Sequence, residues 1–214
     1  MCGMSQYNRP QQARARATLE RFFEATVELL QTRPFEALSV ADIVSRANAS
    51  VGAFYKRFSS KQALLPVLLD WIHRQQFDAI ESFVKDPRWD GVGLEGRIDA
   101  FVDTLVDSYR THHHLMKALV ARQYSADNAQ SAELVESAER TLAYYTEWLL
   151  VCRDEIRHPE PDIAVSIGLT GLVTQIQTRL LFGARAIELS DEVFTHELKR
   201  ALLAYLRDTD HAHS

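Results

Sequence analysis

Between residues 47 and 58 the sequence reads ANASVGAFYKRF, with a phenol, an ammonium and a guanidinium in a row at Tyr55, Lys56 and Arg57, shortly after Gly52. These three groups share one chemistry. Each donates hydrogen bonds to anionic oxygen, and the two cations add charge. A glycine nearby lets backbone approach whatever is bound. The pattern points to polyanion recognition. The charge distribution agrees with it: residues 1–61 hold nine Lys and Arg against five Asp and Glu, a local +4 in a chain of net charge −5, leaving −9 for the rest. A basic head on an acidic body confines a polyanion partner to the head. Solvated surface charge would give the same totals, so the arrangement of the residues has to decide.

Other chemistries find little support. The run His112-His113-His114 suggests a metal site, but consecutive residues on a helix point three ways, and helical metal sites use i, i+4 spacing. Solvated histidines at a helix break are expected there, and no metal. The sequence holds no nucleophile elbow, no carboxylate pair at a telling spacing, no glycine-rich phosphate loop and no metal cluster. No catalytic residue or cofactor is assigned, and an enzyme is not expected. Cys2 and Cys152 show neither pairing nor metal-ligand spacing, as in a reducing cytoplasm. The first residues are basic but lack an apolar core, so no signal peptide is read. No apolar run approaches the roughly 18 residues of a membrane span.

The elements that must position Tyr55 to Arg57 are helices. Leu19, Phe22, Phe23, Thr26, Val27 and Leu30 follow the i, i+3, i+4, i+7 pattern of an amphipathic helix, which Pro34 ends. A short second helix begins at Ser39, with Asp42 completing a capping box and Ile43, Val44 and Ala47 on its inward edge. Asn48 stands at the turn, a residue that tolerates left-handed backbone. Ser50 caps a third helix expected to end near Phe58, and Ser59 or Ser60 caps a fourth from 61 to 84, with Pro66 either kinking it or marking a later start. Further helices are read at 94–110, 115–125, 128–153, 161–183 and 191–208, with Gly183 and Ser190 bounding the last break. The fold class is all-α, with a three-helix head over residues 1–61 joined by a long helix to a helical body over 62–214.

With successive side chains turned by roughly 100° on the third helix, Phe54 and Phe58 share an inward face. Gly52, Ala53 and Lys56 form the opposite one, small except for a single cation. Such a face suits close approach to the major groove of double-stranded DNA. Tyr55 and Arg57 lie on the flanks, within reach of phosphates. The stretch LSVADIVSRANASVGAFYKRFSSKQALL, with Ser39-Val40, Asp42-Ile43, Ala47, Ser50, Gly52, Tyr55, Phe58, Ser60-Lys61 and Leu64-Leu65 in register, resembles the DNA-binding signature of the TetR family of one-component transcriptional regulators. The likeness covers about residues 14 to 70. It implies that Ser39, Ser50, Tyr55 and Lys61 contact phosphate, and that Val51, Gly52, Ala53 and Lys56 face bases. The family more often has glycine where Asn48 stands, valine where Ala49 stands and a polar residue where Val51 stands. Val51 suggests apolar contact with a base. Arg14 and Arg16, in the arm ahead of the first helix, are read either as a minor-groove or phosphate contact or as a silent leader.

In the body, the segment PDIAVSIGLTGLVTQIQTRLLF is apolar nearly all round, with Ala164, Gly168 and Gly171 along it. It either sits mid-core or divides itself between core and partner. With the last helix (Phe194, Leu198, Ala201, Leu202, Tyr205) it is expected to form a homodimer interface, as the resemblance implies. Effector-pocket candidates are Phe101, Leu105, Tyr109, His113, Met116, Tyr144, Trp148, Gln175 and Arg179. Gln175 and Arg179 are i, i+4 on an apolar helix, and polar groups there need partners: a ligand, or acids of a neighbouring helix. The resulting expectation is a cytoplasmic, homodimeric repressor released from a palindromic operator by a small effector. The alternative is a DNA-binding regulator without a small effector, controlled by a protein partner or its own concentration.

Overall fold

The computed structural model describes residues 13–123, 128–183 and 189–209. The arm through residue 12, the Arg14 side chain, Cys2, the centre of the 184–188 break and the tail from 210 lie outside the described residues, and with them the readings made there. The chain divides into two compact units, Met1–Gln76 with His112–Leu119 and Phe77–Thr111 with Val120–Ser214. Among the described residues all the regular elements are helical.

In the first unit, α1 (Ala13–Leu30) buries Leu19, Phe22, Phe23, Thr26 and Leu30 on the expected stripe. Thr26 is polar yet fully buried, and its hydroxyl donates to the Phe22 carbonyl at 2.7 Å, within its own helix. After Pro34 a 3-10 turn (Phe35–Ala37) leads into α2 (Val40–Arg46). The Ser39 hydroxyl accepts from the Asp42 N–H at 3.1 Å, while the Ser39 N–H donates to Asp42 Oδ2 at 2.8 Å, a reciprocal capping box. Hydrogen bonds from the Ser39 hydroxyl and then its backbone hold the Asp42 carboxyl below the usual carboxylate range. Because the folded pKa is depressed, this support is complete at neutral pH and lost only as pH falls through that lowered value.

The chain reverses at Asn48, φ 47°. Ser50 then caps α3 (Val51–Tyr55), its hydroxyl accepting from the Ala53 N–H at 3.1 Å. The helix is shorter than its sequence suggests. Lys56 is already its C-cap, and the N–H groups of Arg57 and Phe58 both donate to the Phe54 carbonyl, at 2.9 and 3.0 Å. That shared acceptor tightens the last turn. Ser60 caps α4 (Lys61–Val84), which continues through Pro66. One hydrogen bond is lost there, but buried Leu64, Leu68 and Leu69 anchor the helix on either side. Phe22, Phe54 and Phe58 are fully buried, with Phe22 edge-on to Phe54 at 5.6 Å.

The second unit is built from α5 (Leu94–Thr111), α7 (Asn128–Leu150), α8 (Pro161–Phe182) and α9 (Asp191–Arg207), while α6 (His113–Gln123) begins in the first. α8 packs on α7 and α9, and α5 on α9. A Cβ on Gly168 would stand 2.5 Å from Leu202 Cδ1, so glycine is what permits α8 and α9 to approach so closely. α8 divides its surface: Ala164, Val165, Leu169, Leu172 and Ile176 are buried, whereas Ile163 and Ile167 are 49% and 58% exposed. No helix of the described residues is long and apolar enough to cross a membrane.

Candidate nucleic-acid interface

Of the faces read on the third helix, the inward one and the solvent-facing one are present in the head, while Arg57 of the flanks is turned to backbone carbonyls. Phe54 and Phe58 are 0% exposed, while Val51 and Tyr55 are 48% and 54% exposed on the other side. Gly52 and Lys56 are exposed and Ala53 is half-buried. A Cβ on Gly52 would meet only Ser50 Oγ, at 3.9 Å, so the interior of the head does not require glycine there. Ser39 and Ser50 are exposed at the starts of α2 and α3.

Arg57 and Lys61 take other partners. The Arg57 guanidinium donates from one terminal nitrogen to the Ala53 carbonyl and from the other to the Ala15 carbonyl, each at 3.0 Å. Its Nε is buried without a partner. Lys61 Nζ donates to the carbonyls of Phe35, Glu36 and Leu38 at 2.8, 3.0 and 2.6 Å. Those three bonds use every hydrogen an ammonium has. The same nitrogen sits 4.9 Å from the centroid of the Phe35 ring.

The pocket candidates of the body are not drawn to one wall. Phe101 and Trp148 are buried in the core of the second unit, and Leu105 and Tyr109 pack against that core. Tyr109 accepts from Gln177 Nε2 at 3.4 Å. Tyr144 is half-buried beside Phe77, ring centroids 6.5 Å apart, and Gln175 is exposed. His113 is exposed and Met116 buried on α6, both counted with the first unit. Arg179 bonds the Leu189 carbonyl and Asp191 Oδ1, each at 2.7 Å, and covers the Phe194 ring, tying the end of α8 to the start of α9. Of the two partners left open for it, an acid of the neighbouring helix is the one found.

Two residues that sequence reasoning passed over are central to the second unit. Tyr145, next to the chosen Tyr144, lies 4.6 Å from the Phe101 ring, and burial pushes its phenol up to about 12. Arg97 is only 5% exposed and donates to three backbone carbonyls. The tyrosine pair offered a signal, since adjacent positions on a helix cannot both face inward. For Arg97 there was none. Among the described residues, no group of three His, Cys, Asp or Glu side chains could hold a metal ion.

Residues 22–68 match the family model described as bacterial regulatory proteins, tetR family. The head carries the DNA-binding segment of the TetR family. The match falls on the stretch that runs from the buried face of α1 through α3 into α4. Among curated TetR-like relatives, the chain is similar to the uncharacterised HTH-type transcriptional regulator YvdT of Bacillus subtilis, 32% identical over 63 residues, 29% of this chain and 32% of that one. It is also similar to the HTH-type transcriptional regulator EthR of Mycobacterium tuberculosis, 28% identical over 126 residues, 58% of this chain and 54% of that one. The chain thus spans between about a third and about half the length of these relatives. The Thermus thermophilus FadR, a TetR-family repressor in complex with lauroyl-CoA, shares the fold with a TM-score of 0.63 at 16% identity, over 92% of this chain and 96% of that one. The TetR-family fold therefore extends well beyond the head that the family model matches.

Proposed function

We propose that the chain is a DNA-binding transcriptional regulator that acts in the cytoplasm as a homodimer, with α3 entering the major groove. The observation that carries this reading is the division of α3 and the turn that follows it: Phe54 and Phe58 fully buried, with Val51, Gly52, Tyr55 and Lys56 turned to solvent. Phosphate contacts from Ser39, Ser50 and Tyr55 would set the register, and Val51 to Ala53 with Lys56 would face bases. Dimerisation through α8 and α9 is supported by exposed Ile163, Ile167 and Val193, apolar side chains that a second copy would cover. Two heads then read two half-sites. A small effector favouring one spacing of the heads would release the repressor from its operator by shifting that equilibrium.

The test is selection of fragmented genomic DNA by the purified protein, followed by sequencing of what stays bound. A near-palindrome is expected; recovery of unrelated sequences alone would defeat the reading. Control without a small effector is the second reading. Arg179 favours it, because its guanidinium is already held by Leu189 and Asp191. Release of the bound duplex by a compound decides between the two readings. Lauroyl-CoA, held by the FadR structure, is a reasonable first compound to try.

Gly52→Ala separates the reader face from the fold. With no clash to make inside the head, the alanine should stabilise α3 by about 0.5 kcal/mol through lower chain entropy. The added methyl stands where the groove must come close, so duplex affinity should fall roughly tenfold, or about 1.4 kcal/mol. Melting and gel-shift titration measure the two effects. A more stable variant with unchanged affinity would remove Gly52 from the interface.

A further inference from the structure

We infer that Arg57 and Lys61 are positioning residues that fix the reader helix from inside the head, and that the head grips phosphate with few cations. The inference rests on the DNA-binding reading above and concerns which side chains carry it. Of the cations of the head, Arg33 pairs with Asp42 at 3.6 Å and Arg46 with Glu28. Arg21 donates to the carbonyl of Asn48, the residue at the turn, at 3.3 Å. Arg57 joins α3 at Ala53 to α1 at Ala15, and Lys61 gathers the three carbonyls of the connector between α1 and α2. Among the described residues, Lys56 and Arg16 are the cations of 15–61 with no partner.

The two bound cations differ in what they hold. Lys61 has all three donors engaged, so a phosphate could recruit it only by breaking a bond to Phe35, Glu36 or Leu38. These carbonyls lie just before the Ser39 cap, so the lysine sets where α2 begins. Arg57 is a fork, and its two terminal nitrogens reach carbonyls on different helices. A lysine at 57 would keep the charge but reach only one of them. The orientation of α3 against α1 depends on that fork, because α3 is only five residues long and cannot hold a pose alone.

Counterion release tests this directly. The logarithm of duplex affinity falls with the logarithm of salt concentration by about 0.9 for each phosphate neutralised. Lys56→Ala should lower that slope by about 0.9 per half-site. Lys61→Met should leave the slope unchanged while lowering the melting temperature of the free protein. Arg57→Lys, which keeps the charge, should behave like Arg57→Gln: both lose most of the preference for the selected operator over random duplex, measured well below their melting temperatures. A slope that falls with Lys61→Met at unchanged melting would make Lys61 a phosphate contact and overturn the inference. An Arg57→Lys protein with the parent's operator preference would overturn the positioning role of Arg57, even if its melting temperature fell. Should the parent protein prefer no duplex at all, the DNA reading fails separately. Unchanged melting of Lys61→Met and Arg57→Gln would then still overturn the tethers.

Discussion

Phe54→Ala is expected to unfold the head and abolish duplex binding, while Tyr55→Ala beside it leaves the head folded. Phe54 is fully buried, with ring centroids 5.6 Å from Phe22 and 5.3 Å from Phe58. Truncating a phenyl ring in such a setting costs about 3–5 kcal/mol, from lost transfer energy and the cavity left behind. A unit of this size has a total stability of only several kcal/mol. The loss also falls where least compensation is available: α3 is too short to be helical on propensity, and Phe54 is its buried side chain. Tyr55 is 54% exposed, so its removal should cost the fold under about 1 kcal/mol. Amide hydrogen exchange across residues 40–60 would read both. Protection of α2 and α3 retained in Phe54→Ala would mean that the head is not held from this ring.

How far the fold could be read in advance is clearest at particular residues. The stripe of α1, the Ser39–Asp42 box, the left-handed Asn48 and the Ser190 cap follow from side-chain period and local hydrogen bonding, which act over four residues or fewer. The boundaries of α4 were legible for the same reason, whereas α8, apolar nearly all round, left open whether it is wholly buried or divides its surface, and exposed Ile163 and Ile167 show the division. The partners of the cations were not. Arg57 reaches an acceptor 42 residues away, and Lys61 one that is 23 away. Each of those acceptors is a backbone carbonyl. Since every residue carries one, no pattern of residue types marks which carbonyl a distant guanidinium will find. The flank position of Arg57 and the family resemblance at Lys61 pointed both at phosphate, and the tertiary structure gives them backbone carbonyls of the head as partners. Tyr144 and Tyr145 show a smaller form of the difficulty. A rotation of about 100° separates neighbours on a helix, and the apolar period around them did not decide which one faces the core.

Arg97 carries the other large effect, in the body. Its guanidinium donates from Nε to the Val92 carbonyl at 2.9 Å, and from its terminal nitrogens to Trp148 at 3.1 Å and Trp89 at 2.8 Å. It also lies 5.0 Å from the centroid of the Trp148 ring. Trp148 is in the last turn of α7, where carbonyls have no partner within the helix. Arg97 therefore caps α7 from α5 and fastens the connector at Trp89 and Val92 in the same fork. Arg97→Ala removes a donor from each of three carbonyls; Trp89 keeps the Val92 N–H at 3.1 Å and Val92 the Cys152 thiol at 3.6 Å, so the Trp148 carbonyl bears the cost of an unsatisfied buried acceptor, roughly 1–3 kcal/mol. With the two further charge-assisted bonds also lost, the body should lose about 2–4 kcal/mol. Arg97→Lys keeps the charge but offers a point donor that cannot span three acceptors, so it should recover only a small part of the loss. Trp89 and Trp148 stand 5.0 Å apart edge to face, which makes tryptophan fluorescence in a urea titration a direct reporter of this corner. Arg97→Met, similar in length but without donors, should fall with Arg97→Ala, because the deficit lies in the lost donors, above all the one to the Trp148 carbonyl. An Arg97→Lys protein as stable as its parent would mean that a single charge suffices at this corner and that the fork geometry contributes nothing.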